Sequence, residues 1–307
     1  LRLQRLLDTG SVIGVVLSVA AALVGCFAFE DLRVLGAALA WLAGGVLRIR
    51  RGQVEGAMGR ALGPAAPADR MYASLATGVM ELLWLAGGPR RDLSRVTAFE
   101  PGAEVRIREA LAAGRGAVFA ASHTGNWELA ACALAETVPL SVLVKRVSMG
   151  AFDRFMWGVR NRYGVGLLEG EGALRTARRE VEKRRAVAVL IDQVPPREEH
   201  GDWLAFLGAD ALTDRAAAAL AASTGAPLIV TAQRRREDGR HVLQVLRVMW
   251  PPTRGRGEWA REATRTATDE LAAFVTRYPD QWLWMHRRWK QPSARADVVV
   301  HRSAARR

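Results

Sequence analysis

From residue 116 onward, short apolar runs alternate with helical patterns, and this rhythm constrains the fold more than any other feature of the chain. GAVFAAS precedes NWELAACALAE, LSVLVK precedes AFDRFMWGVRNRY, and ALRTARREVEKRR leads into AVAVLI. DRAAAALAAST, APLIVTAQ, HVLQVLRV and the long EWAREATRTATDELAAFVTRY continue the pattern. Brief apolar runs bounded by turn residues read as strands, and the longer stretches with helical spacing read as helices. The alternation predicts an α/β fold with a mixed, largely parallel sheet covered by helices. Ligand sites in such sheets gather at the carboxyl ends of the strands.

The N-terminal part is different. Residues 11–29, SVIGVVLSVAAALVGCFAF, form an uncharged run close to the roughly 20 residues a helix needs to cross a bilayer core. Glu30 and Asp31 interrupt it, and VLGAALAWLAGGVL at 34–47 is a second apolar stretch, closed by Arg48, Arg50 and Arg51. With Arg2 and Arg5 in front, the pattern suits a hairpin dipping into a membrane with both basic ends on the cytoplasmic side. A surface-lying second helix, a signal peptide, and a pair of soluble core helices are the competing readings. GPAAPAD at 63–69 has the composition of a turn or linker. It divides the chain into an N-terminal membrane-associated helical segment, 1–62, and an α/β domain, 63–307. MYASLATGVMELLWLA, just after the linker, has helical spacing.

The formal charge is +13, and Lys145, Lys183 and Lys290 are the only lysines beside many arginines. Arginine dominance with abundant Ala, Gly and Val fits a GC-rich genome, and the remaining excess points to anionic partners such as lipid headgroups, phosphorylated substrates or an acidic carrier. Without a nucleic-acid-binding motif beside the charge, we expect no nucleic-acid partner. Cys26 and Cys132 lack metal-ligand spacing and read as buried free thiols. His200, His241 and His301 lack it too, so no metal is expected.

The chemistry centres on HTGNWE. The strand GAVFAAS runs directly into His123, Thr124, Gly125, Asn126, Trp127 and Glu128, and helix-forming residues follow. An imidazole at a strand end and a carboxylate in the first turn of the next helix can meet across a Gly-Asn turn. A carboxylate on one ring nitrogen fixes the tautomer and leaves the other free to take a proton from an alcohol. The helix start adds backbone N–H groups suited to a phosphate or a developing oxyanion. Asn126 is equally a helix cap or a substrate contact. His286, among Trp282, Trp284, Arg287, Arg288, Trp289 and Lys290, is read as part of a packing, interfacial or headgroup-binding cluster rather than as a second catalytic histidine.

This segment resembles the H-x4-[DE] block of glycerolipid acyltransferases. With Asn-Trp before the Glu, it is similar to the late acyltransferases of lipid A biosynthesis, the lauroyl/myristoyl family. RIRRGQVEGAMGRAL, LIDQ and PDQWLWMHRRWK extend the likeness over most of the chain. The resemblance implies a glycerolipid acyltransferase-like fold with His123 as catalytic base and Glu128 as its orienting carboxylate. Asn126, Lys145, Arg160, Asp192 and Gln193 would contact substrate. Lys145 stands where many members have arginine and lacks the planar fork for bidentate phosphate binding. LIDQVPP in place of a Phe-Pro-Glu-Gly motif favours the lipid A branch.

The reaction so implied moves a fatty acyl group from an acyl thioester, carried by acyl carrier protein or CoA as co-substrate, to a hydroxyl of a membrane glycolipid, with no other cofactor. Phosphatidylinositol mannosides, ornithine-type lipids and lysophospholipids are alternative acceptors, and a non-catalytic lipid-binding membrane protein is the competing class. The expected location is the bacterial inner membrane, with the catalytic domain on its cytoplasmic face.

Overall fold

A computed structural model describes residues 9–144 and 150–290. Helix α1 (Thr9–Val24) is followed by a 3-10 turn and α2 (Leu32–Ala40), then by a π-helical turn at Trp41–Val46, α3 (Arg51–Leu62) and α4 (Ala68–Ala86). The remainder is β1 (Thr97–Phe99), α5 (Ala103–Ala112), β2 (Ala117–Ala121), α6 (Trp127–Ala135), β3 (Leu140–Leu143), α7 (Gly150–Arg162), β4 (Gly166–Leu168), α8 (Ala173–Glu182) and β5 (Ala186–Leu190). A hairpin, β6 (Gly201–Phe206) and β7 (Ala209–Asp214), precedes α9 (Ala216–Thr224), β8 (Leu228–Arg235), β9 (His241–Met249) and α10 (Arg256–Arg277).

Among the described residues, seven strands form one sheet in the order β1-β9-β8-β2-β5-β3-β4. Every pairing in it is parallel except β8 with β9. The mixed, largely parallel sheet covered by helices is therefore present as the alternation predicts. Both faces of the sheet are buried, which is why its strands are apolar throughout rather than alternating. Val118, Ala120, Val187 and Val189 face the helices α3, α4, α8, α9 and α10. Ala117, Phe119, Ala186 and Ala188 face α5, α6 and α7. The hairpin β6–β7 was not marked by the sequence pattern. Its turn residues Leu207 and Gly208 both have positive φ, 50° and 83°, a geometry usually signalled by Asn-Gly or Asp-Gly.

Among the described residues, no single helix is long and apolar enough to cross a membrane. The apolar stretches 12–24 and 29–46 form a pair bent by 117°, a broken span or a re-entrant arrangement by length and composition. Val15, Val19, Leu23, Phe27, Trp41 and Leu47 are exposed along it. Its other side packs on α4: Gly36 is buried against this helix, and a methyl group there would lie 2.4 Å from Thr77 Oγ1. Residues of α3 and α4 share one core with the sheet. Overpacking of a close helix crossing costs roughly 1–3 kcal/mol. Gly36→Val is therefore expected to lower the thermal unfolding midpoint of the purified protein by several degrees, whereas Gly14→Val, where a side chain would meet nothing within 4 Å, leaves it unchanged.

Candidate active site

Strands β2 and β5 run parallel with Ala121 opposite Leu190. His123 lies two residues past the first and Asp192 two past the second, so the register alone brings them side by side at the carboxyl edge of the sheet. Asp192 is fully buried and accepts three N–H groups: the His123 backbone amide at 2.8 Å, His123 Nδ1 at 2.8 Å and Trp282 Nε1 at 2.8 Å. Burial alone would raise its carboxyl, but the contacts with His123 outweigh burial and hold it well below the usual range. An ionised carboxylate only accepts. His123 Nδ1 therefore carries the ring proton, and Nε2 presents its lone pair outward.

That lone pair faces Gln193, whose amide nitrogen is 3.3 Å from His123 Nε2 and 3.5 Å from His286 Nε2. The two imidazoles meet edge to face with centroids 4.6 Å apart. His286 thus stands in the site, where the sequence reading had assigned it to a packing cluster. The rest of that cluster is packing. Trp282 and Trp284 are buried against Phe206 and Trp289, and the buried Arg288 donates to Leu212 O and Thr213 Oγ1. Burial, together with the charges of His123, Arg50 and Arg288 and against the pull of Asp192, lowers His286 to about 4.

Glu128 takes another part from the one expected of it. Its carboxylate accepts Arg160 Nε at 2.8 Å, Arg160 Nη2, and Trp127 Nε1 at 3.1 Å. The carboxylate on His123 Nδ1 is that of Asp192, not Glu128. Starting α6, Glu128 points toward α7 and, among the described residues, is linked to His123 through Trp127, whose ring lies 4.8 Å from the imidazole. The pair with Glu128 raises Arg160 above its ordinary value, although burial opposes it.

Asn126 is the cap of α6. Its Oδ1 accepts Leu129 N at 3.1 Å, and its Nδ2 donates to Glu81 Oε2 at 3.0 Å. Glu81, buried on α4, also accepts Arg235 through Nε at 2.8 Å and Nη2 at 2.9 Å, and His241 Nε2 at 3.0 Å. Burial would raise the Glu81 carboxyl, yet His241 and Arg235 bring it down to about 2. This network under the HTGN turn carries no sequence motif, and its members are brought together only by α4, β8 and β9. The turn itself is tight: Gly125 has φ +57°, and a Cβ there would lie 2.7 Å from Gln233 O. Lys145 lies outside the described residues.

Among the described residues, His123, Asp192 and His286 bring nitrogen and oxygen atoms within 4.8 Å of one another, a grouping able to hold a metal ion. Both oxygens of Asp192 already accept N–H groups, so the donors are satisfied as a hydrogen-bonded set. Ser122 Oγ and Thr124 Oγ1 share a hydrogen bond of 3.0 Å, and Thr124 Oγ1 also accepts Gln233 N. Neither is bonded to His123. Cys132 is buried, and burial pushes its thiol far up, whereas Cys26, expected to be buried, is exposed just after α1. Among the described residues the site therefore offers an oriented imidazole with no serine, threonine or cysteine side chain bonded to it, which suits direct transfer to an incoming hydroxyl.

A buried histidine that stays neutral when folded takes up its proton near 6.5 when unfolded. The unfolded chain thus binds the proton first, and the stability present above about 6.5 is lost as the pH falls toward the folded value of about 4. Denaturant titrations between pH 7 and 4 are expected to show this loss. His286→Gln should flatten it, and an equal slope in the variant would reject the assignment.

No curated protein matches the chain. The sequence model of bacterial lipid A biosynthesis acyltransferases matches residues 4–291, a span that includes the N-terminal helices, the sheet, HTGNWE and the tryptophan segment. The match implies acyl transfer, in general terms from an acyl thioester donor to a lipid acceptor. By this match over nearly its whole length, the chain belongs to the bacterial lipid A biosynthesis acyltransferase family.

Proposed function

We propose that the protein transfers a fatty acyl group from an acyl carrier protein or CoA thioester to a hydroxyl of a lipid A precursor, with His123 as general base. The observation that carries this reading is the buried Asp192 on Nδ1 of His123, which leaves Nε2 as a proton acceptor at the mouth of the sheet. The lipid hydroxyl gives its proton to Nε2 as its oxygen attacks the thioester carbon. The departing thiolate recovers that proton from the imidazolium. Asp192 orients the ring and balances the charge that forms on it. The Glu128–Arg160 pair holds Trp127 against His123 and keeps a cation beside the site, where it can meet a phosphate of acceptor or donor. The acyl donor is a co-substrate, and the reading calls for no further cofactor.

The family match and the apolar surface of α1 and the Trp41–Val46 turn support work at a membrane, and we place the catalytic domain on the cytoplasmic face of the inner membrane. Arg48, exposed next to this surface, suits anionic headgroups.

The test is transfer of radiolabelled acyl groups from acyl carrier protein and CoA thioesters to a tetraacylated lipid A precursor. His123→Ala should reduce kcat by about 10²–10⁴, Asp192→Asn by a similar factor, and Glu128→Gln by roughly tenfold, since it acts through its neighbours. A folded His123→Ala variant with full activity would end the proposal. In a second measurement, replacing Phe27, Trp41 and Leu47 with Ser should weaken binding to anionic phospholipid vesicles by about tenfold or more. Unchanged binding would remove this surface from the membrane contact.

A further inference from the structure

We propose that the side-chain amide of Gln193 is the donor that stabilises the oxyanion on the thioester carbonyl, and that His286 is the positioning residue that holds this amide beside the base. This rests on the acyl-transfer reading above and assigns it a specific hydrogen-bond donor.

Most other donors at the turn are already engaged. The amide of His123 serves Asp192, that of Gly125 donates to Gln281 O at 2.6 Å, that of Asn126 to Gln233 Oε1 at 3.0 Å, and that of Leu129 to Asn126 Oδ1. The Gln193 amide is different. It carries two hydrogens, and it lies 3.3 Å from one imidazole Nε2 and 3.5 Å from the other. Both contacts are longer than the usual 2.9–3.0 Å of an N–H hydrogen bond, so exchanging one for a better acceptor costs little. An acceptor hydroxyl can reach His123 Nε2 only by displacing that N–H. The freed hydrogen is then available to the oxygen of the carbonyl being attacked, where the negative charge develops and a donor has most effect.

The backbone on either side is fixed. Gln193 follows Asp192 at the end of β5. The loop bearing His286 is held by Arg50 Nη1 and Gln53 Nε2, which donate to Met285 O at 3.0 and 2.9 Å. His286, as a neutral imidazole, accepts the second amide hydrogen and keeps Gln193 in place while the first is exchanged.

The step balances without another reactant. The alcohol oxygen bonds to the carbonyl carbon, its proton passes to His123 Nε2, and the carbonyl π pair moves onto oxygen against the Gln193 N–H. On collapse the C–S bond breaks, and the thiolate takes the proton from His123. The products are an ester and a thiol.

The experiment is steady-state kinetics of the full chain with both substrates varied. Gln193→Ala and Gln193→Glu, the latter close in shape and without an N–H, should each lower kcat about 10²–10³-fold, with both KM values within threefold of the parent and the melting temperature retained. His286→Ala should lower kcat about tenfold in the parent and have no further effect in the Gln193→Ala background. A Gln193→Ala enzyme within threefold of parental kcat, a loss confined to KM, or additive effects of the two substitutions would overturn the inference. Retained activity would assign the oxyanion to the helix-start amides of Trp127 and Glu128. An inactive parent enzyme, by contrast, would count against the function reading itself.

Discussion

The bond between Asp192 and His123 is the constraint on which the rest of the architecture turns. It requires two parallel strands in register, each ending at the same height, and a buried carboxylate that burial alone would neutralise. Three N–H groups on Asp192 solve that problem. One of them comes from Trp282, far along the chain, so the sheet and the segment after α10 are committed to the same geometry. The tryptophan cluster packed on Phe206 fixes the indole that donates.

A second buried charge does comparable work one layer lower. Glu81 on α4 gathers Arg235, His241 and the cap residue Asn126. The start of α6 is thereby tied to an N-terminal helix as well as to the sheet. Buried networks of this kind are costly to disturb, because removing a partner leaves a charge buried without its counterpart. Arg50 and Gln53 make a similar link from the beginning of α3 to the backbone before His286. The apolar N-terminal helices are in this way mechanically continuous with the base.

Much of the fold was legible because burial on both sheet faces leaves unmistakable apolar runs between helices. The strand-to-helix turn that carries His123 was legible too, since a strand end followed by a capped helix is a local signal. The partner of its Nδ1 was not. H-x4-E places a carboxylate near the imidazole, but α6 turns Glu128 toward Arg160 on the next helix, and only the β2–β5 register reveals that Asp192 takes its place. Asp192 and Gln193 were carried as substrate contacts, and His286 as packing, because their convergence depends on strand order and on the loop at Trp282–Trp289. Asn126 resolved into a cap whose amide is spent on Glu81. The hairpin escaped notice for a plainer reason: Leu at a positive-φ turn position is a poor turn signal.

The short antiparallel bridge between Thr124 and Trp282, reinforced by Leu283 N on His123 O, has a consequence for the order of assembly. The sheet strands end by Met249, but the HTGNWE turn and Asp192 both hydrogen-bond to the later stretch, through Gly125 N to Gln281 O and Trp282 Nε1 to Asp192. The base thus lacks its final support until the strand-like stretch at 281–283 docks. Docking of that stretch completes the hydrogen bonding around both His123 and Asp192, so fraying at 281–283 would loosen the imidazole before it disturbed the sheet.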